Sequence, residues 1–99
     1  MLTKNQILNF LKENKTYFKE RFHLTKIGLI GSFATDTATE KSDVDLIIEF
    51  EPGTQNLFGI EYDLREYVKK KFDKSVDFCH AKYIKPYAKE IILKQAIYV

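Results

Sequence analysis

The sequence predicts an α+β fold: a small mixed β-sheet with helices packed on one face. Three observations predict it. Apolar residues recur at helical spacing near the N-terminus and again over 57–72. Three short apolar runs, near 26–31, 43–50 and 75–79, read as strands. The resulting order is helix, strand, strand, helix, strand, helix.

Each element has its own signal. Thr3 followed by Gln6 is a capping box, and Ile7, Leu8, Leu11, Phe18 and Phe22 come after it at roughly helical spacing. One helix is therefore expected from about Thr3 to Glu20. Lys26 to Gly31 (KIGLIG) is a short strand stopped by glycine. Ser32 to Lys41 is small and polar, a loop with room for one helical turn. Asp43 to Phe50 is a strand, and Glu51-Pro52-Gly53 a turn. Leu57, Ile60, Leu64, Tyr67, Val68 and Lys71 mark a helix over 57–72. Ser75 to Cys79 (SVDFC) is the third strand. Pro86 opens the last helix at a position that tolerates proline. The link from Gly31 to Asp43 is too short for a usual crossover helix, so the first two strands can run antiparallel. The 57–72 helix can return the chain to a parallel neighbour.

Length and composition set bounds. Ninety-nine residues are expected to form one domain, 1–99, with a single core. At 44% apolar and 30% charged, the composition is that of a soluble globular protein. A net charge of +2 is too small to argue for nucleic-acid binding, so no direct nucleic-acid partner is expected. The one cysteine excludes an internal disulfide and fits a reducing, cytoplasmic compartment. No apolar run approaches the roughly eighteen residues of a membrane span, and the N-terminus reads as a capped helix rather than a signal peptide. No membrane partner is expected.

The chemistry concentrates in GSFATDTATEKSDVD: Gly31-Ser32, ten residues, then Asp43-Val44-Asp45. Residues i and i+2 of a strand point to the same face, so Asp43 and Asp45 aim at one place. Two carboxylates aimed together repel unless something positive lies between them. Mg²⁺ suits that position, because it takes carboxylate oxygens together with substrate phosphates. Gly31 lets the backbone approach a phosphate, and Ser32 adds a hydroxyl and an N–H. Alone, Gly-Ser after a strand is usually only a turn. The unbroken run Leu46-Ile47-Ile48 strengthens the reading, since a strand buried on both faces sets the carboxylates at the rim of a covered sheet. In Ser75-Val76-Asp77-Phe78-Cys79, Asp77 faces opposite to Val76 and Phe78, and joins the same cluster if this strand pairs with 43–50. Three carboxylates would hold one or two divalent ions. His23 and His80 show no ligand spacing with Cys79, which reads as a buried, inert thiol. Lys69-Lys70-Lys71 is the basic end of a helix. Tyr83, Tyr87 and Tyr98 are core or a partner surface.

The spacing Gly31-Ser32, ten residues, Asp43-Val44-Asp45 resembles the G-S-x10-D-x-D signature of the DNA polymerase β-like nucleotidyltransferase superfamily. The segment DVDLIIEFEPG (43–53), the strand Val76-Asp77-Phe78, Ile84-Lys85-Pro86-Tyr87 and the tail Ala96-Ile97-Tyr98-Val99 are similar to the minimal nucleotidyltransferases. These MNT proteins are the antitoxins of HEPN/MNT toxin–antitoxin pairs. The resemblance spans the whole chain. It implies that Gly31 and Ser32 contact the nucleotide phosphates and that Asp43 and Asp45 bind one or two Mg²⁺ ions. It implies that Asp77 completes the metal site and helps to activate an acceptor hydroxyl. ATP is the implied substrate. The implied acceptor is a tyrosine on a HEPN-domain ribonuclease toxin, silenced by AMPylation and held in a hetero-oligomer.

One departure bears on activity. Family members commonly continue as G-S-F-A-R-G, where this chain has Thr35 and Asp36 after Gly31-Ser32-Phe33-Ala34. A lost cation and a gained acid would weaken the hold on triphosphate, with Lys41 the nearest compensating cation in sequence. Two readings therefore stand: an active adenylyltransferase, and an antitoxin of weak or no activity that neutralises the toxin by binding. A small-molecule or RNA-end acceptor is disfavoured, because larger relatives bind such acceptors with an added domain.

Overall fold

A computed structural model describes residues 1–99. The predicted capping box forms: Thr3 Oγ1 accepts the Gln6 N–H at 3.2 Å, and Gln6 Oε1 accepts the Thr3 N–H at 2.9 Å. The expected single helix from Thr3 to Glu20 is instead two, α1 (Lys4–Glu13) and α2 (Lys15–Phe22), parted at Asn14. Asn14 leaves the helical region at φ −101°, ψ 8°. Its side-chain amide donates to Phe10 O at 2.9 Å, and its side-chain oxygen accepts the Tyr67 hydroxyl at 2.9 Å. Asparagine competes for nearby backbone groups in this way and so favours helix ends. Periodicity hides the break because Ile7, Leu11, Phe18 and Phe22 stay in phase across it, and all four are buried.

The remaining elements are β1 (Leu24–Ile30), the single turn α3 (Gly31–Ala34), β2 (Val44–Phe50), α4 (Leu57–Phe72), β3 (Val76–His80), a 3₁₀ turn (Ala81–Tyr83), α5 (Pro86–Gln95) and β4 (Ile97–Tyr98). The bounds of α4 match the sequence expectation. β4 is not among the expected elements, because two residues are too few to show a period. It exists because β1 has an edge to offer: Gly28 pairs with Tyr98 and Leu29 with Ile97. A Cβ on Gly28 would stand 2.8 Å from the Ile97 carbonyl oxygen, so glycine is what admits the last strand.

The sheet order is β3-β2-β1-β4. β1 and β2 are antiparallel, as their short link suggests, and β2 and β3 are parallel across the α4 connection. Alternation divides the sheet. Ile27, Leu29, Val44, Leu46, Ile48 and Val76 join Ile7, Phe10, Leu11, Phe18, Phe22, Leu64 and Val68 in one cluster, so α1, α2 and α4 cover one face. Each such side chain, fully buried, contributes about 1.5–3 kcal/mol of apolar transfer free energy. Leu46, Ile47 and Ile48 are all fully buried, as the run without alternation implied. α5 buries no residue and lies against α3. No helix is long and apolar enough to cross a membrane.

Candidate active site

The site lies where β1 ends and β2 and β3 begin. Parallel register sets Asp45 directly beside Asp77, and antiparallel register sets Ile30 opposite Asp45. The Val44 N–H donates to Ser75 O at 2.9 Å, tying the two strand starts together. Val44 and Leu46 point into the core, so Asp43 and Asp45 face the other side, away from α1, α2 and α4. Asp43 and Asp77 are exposed, and Asp45 is half-buried.

The Asp45 carboxyl is pushed above the ordinary aspartate range, first by burial and then by the negative charges of Asp77 and Asp43. None of the three carboxylates takes part in a protein ion pair. A desolvated carboxylate with two like-charged neighbours and no cation fits a hard divalent ion, whose preferred ligands are carboxylate oxygens. The three do not themselves converge on one ion-sized point. Asp43 and Asp45 share a face and Asp77 flanks Asp45, and that is the donor set the fold supplies.

Gly31 is required twice. Its φ of +77° is a left-handed conformation, and a Cβ there would run into the Asp45 carboxylate, with Asp45 Cβ and Cγ both at 3.1 Å. The glycine thus makes room for the carboxylate as well as for the turn. Its N–H donates to Gln95 Oε1 at 2.6 Å, so a phosphate oxygen bound there would have to displace the Gln95 side chain. Ser32 follows, its carbonyl accepting the Thr37 N–H at 2.9 Å.

The two departures from the family motif are both engaged within the protein. The Thr35 hydroxyl turns back onto its own loop, 3.2 Å from Gly31 O and 3.0 Å from Thr37 Oγ1. Asp36, at φ +61°, pairs with Lys4 Nζ at 2.9 Å, which offsets its charge. Lys41 is exposed. At the end of the loop next to Asp43 a second cation, Lys74, donates to Glu40 O at 2.7 Å and Ser42 O at 3.1 Å. Sequence reasoning missed both Lys74 and Gln95. Neither carries a motif, and each meets its partners across more than thirty residues of chain.

The discounted residues lie elsewhere. His80, at the far end of β3, contacts Glu61 Oε2 at 3.0 Å. His23 ends α2 in a left-handed conformation, and its carbonyl accepts the Glu51 N–H at 2.8 Å. Cys79 is half-buried rather than buried, and desolvation pushes its thiol up, which keeps it unreactive. Tyr83 and Tyr87 are largely exposed, as a partner surface would be.

A mixed sheet sets Gly31-Ser32 at the end of β1 and Asp43-Val44-Asp45 at the start of β2, the arrangement that the resemblance to nucleotidyltransferases implies. Residues 9–99 match the nucleotidyltransferase domain family, and the chain belongs to it. Its relatives are specific. It is 33% identical over 99 residues to the protein adenylyltransferase MntA of Thermococcus cleftensis, covering 100% of this chain and 98% of that one. It is 34% identical over 100 residues to a Methanocaldococcus jannaschii protein provisionally named a protein adenylyltransferase, covering 100% of both. Among solved structures, a candidate minimal nucleotidyltransferase has the same fold, with a TM-score of 0.77 at 24% identity over 97% of this chain and 95% of that chain. A toxin–antitoxin crystal structure with AMP-PNP aligns at a TM-score of 0.65 and 21% identity, over 98% of this chain and 72% of that chain. A complex of tri-AMPylated Shewanella oneidensis HEPN toxin with MNT antitoxin aligns at 0.56 and 18% identity, over 96% and 66%.

Proposed function

We propose that this chain is a Mg²⁺-dependent protein adenylyltransferase. It transfers AMP from ATP to a tyrosine hydroxyl of a HEPN ribonuclease toxin and so acts as the toxin's antitoxin. The observation that carries the reading is the half-buried Asp45 seated against Gly31, with Asp77 beside it and Asp43 on the same face. The names of the relatives support the transfer to protein, and the AMP-PNP and HEPN complexes of fold neighbours support the nucleotide and the partner.

The residues divide the work. Asp43 and Asp45 would hold the divalent ion, with Asp77 completing the set. When bound, the ion supplies positive charge to the triphosphate and to the leaving pyrophosphate. Gly31 and Ser32 orient the phosphates, Ser32 through its hydroxyl and N–H. The tyrosyl oxygen attacks the α-phosphorus, the bond from that phosphorus to the bridging oxygen breaks, and pyrophosphate leaves. Asp77, which is exposed, would take the hydroxyl proton. The exposed Tyr83 and Tyr87 suit contact with the partner.

Neutralisation by binding alone is the second reading. It drew on Thr35 and Asp36; with Asp36 paired to Lys4, Thr35 is what remains in its favour. The test is the intact mass of the candidate toxin after incubation with this protein and Mg-ATP. AMP-sized increases that vanish in Asp43→Ala/Asp45→Ala are expected. An unchanged mass within a complex that still forms would replace transfer with sequestration.

A further inference from the structure

Three separate segments carry the site: the turn 31–34, the run into Asp43, and the run into Asp77. One residue links all three: Lys74 belongs to the run into Asp77, and its side chain reaches the other two. The Lys74 ammonium donates to Glu40 O at 2.7 Å and to Ser42 O at 3.1 Å. It also lies 5.9 Å from the centroid of the Phe33 ring, and Phe33 follows Ser32 and is buried. Lys74 itself leads into Ser75, whose carbonyl accepts the Val44 N–H at 2.9 Å.

The segment 39–43 has little else to hold it. Thr39, Glu40, Lys41 and Asp43 are exposed, and the loop's own bonds are local, Ser42 N–H to Thr39 O at 3.0 Å and Thr39 N–H to Ser42 Oγ at 2.8 Å. Asp43 is anchored on one side only, by the buried Val44 that donates to Ser75 O, and an exposed loop with only local bonds leaves its other side free to shift. Two charge-assisted bonds from one cation to carbonyls on either side of Lys41 remove that freedom.

We infer that Lys74 is a positioning residue of the metal–nucleotide site, clamping 40–42 so that Asp43 stays beside Asp45. The inference rests on the reading of Asp43 and Asp45 as ligands of a divalent ion. Lys74 need touch neither nucleotide nor metal. Its action is through the backbone that carries Asp43, as residues behind metal ligands commonly act.

The test compares wild type, Lys74→Met and Lys74→Arg, with Mn²⁺ in the presence of AMP-PNP as the probe. Lys74→Met keeps an unbranched apolar stem beside Phe33 and removes the donors; Lys74→Arg keeps charge and donors. Lys74→Met should weaken Mn²⁺ binding by about 10- to 100-fold, and Lys74→Arg should recover most of it. Amide hydrogen exchange at 40–43 should quicken in Lys74→Met while the core strands keep wild-type protection. Equal Mn²⁺ affinity in wild type and Lys74→Met would overturn the clamp and leave the nucleotidyltransferase reading standing. A loss matched by faster exchange throughout the sheet, and not recovered by Lys74→Arg, would overturn it as a general fold defect. Failure of the wild type to bind Mn²⁺ with AMP-PNP would overturn the proposed site and the clamp together.

Discussion

Gly31→Ala should separate stability from catalysis. At φ +77° an alanine sits in left-handed space, a conformation that costs an L-residue about 1–2 kcal/mol. In a domain of this size that lowers the melting temperature by about 4–16 °C. The second effect is geometric. The new Cβ would overlap the Asp45 carboxylate and press on Asp45 Cβ and Cγ at 3.1 Å. A side chain that short has two torsions with which to yield, and either one shifts the carboxylate from its native position. A misplacement of about 1 Å is enough to cost about 10²-fold in rate. Thermal unfolding reads the first effect, and initial rates of AMP transfer read the second. Gly31→Asn partitions them, because asparagine tolerates left-handed backbone yet carries a Cβ. It should regain part of the melting temperature and none of the activity. Wild-type stability and rate in Gly31→Ala would refute the reasoning. Recovery of activity in Gly31→Asn would show that the Asp45 contact does not matter.

Asp45→Asn should raise the melting temperature of the metal-free protein at neutral pH while abolishing transfer. The folded-state pKa of Asp45 lies above its ordinary 3.8, so the native state binds the proton more tightly than the unfolded chain. Its contribution to stability therefore falls as pH rises from 3.8 through the raised value, and the penalty is full above that value. The advantage of Asp45→Asn should fade in acid, and Mg²⁺ should stabilise the wild type more than the variant; a destabilised Asp45→Asn at pH 7 would contradict this sign. Gln95→Ala frees the Gly31 N–H of its 2.6 Å bond, so AMP-PNP, titrated by calorimetry, should bind about 2- to 10-fold more tightly; weaker binding would mean that Gln95 assists the nucleotide instead of competing with it. Tyr67→Phe removes the bond to Asn14 that spans the α1–α2 break, at a cost of about 1 kcal/mol in denaturant unfolding. Its transfer rate should stay at the wild-type value, since the break lies on the helical face.

The sequence by itself determined what short-range geometry controls. The capping box at Thr3 and Gln6, the bounds of α4 and the opening of α5 at Pro86 follow from helical period and backbone chemistry within a few residues. The shared face of Asp43 and Asp45 follows from the period of a strand. The unbroken apolar run 46–48 announced a strand covered on both faces, and the link lengths favoured one antiparallel and one parallel pairing. Tertiary structure alone decided the rest, because those contacts join residues whose identities say nothing of one another. Asn14 sits in phase with its helix, and that its side-chain oxygen is taken at the break by Tyr67, 53 residues away, is set by packing. β4 is too short to have a pattern and takes its form from the edge of β1 at Gly28. Asp36 is drawn to Lys4 across 32 residues, and the Gly31 N–H to Gln95 across 64. A motif states which groups the site contains. Which of them are buried, paired or already engaged depends on where the remainder of the chain comes to rest, and only packing sets that.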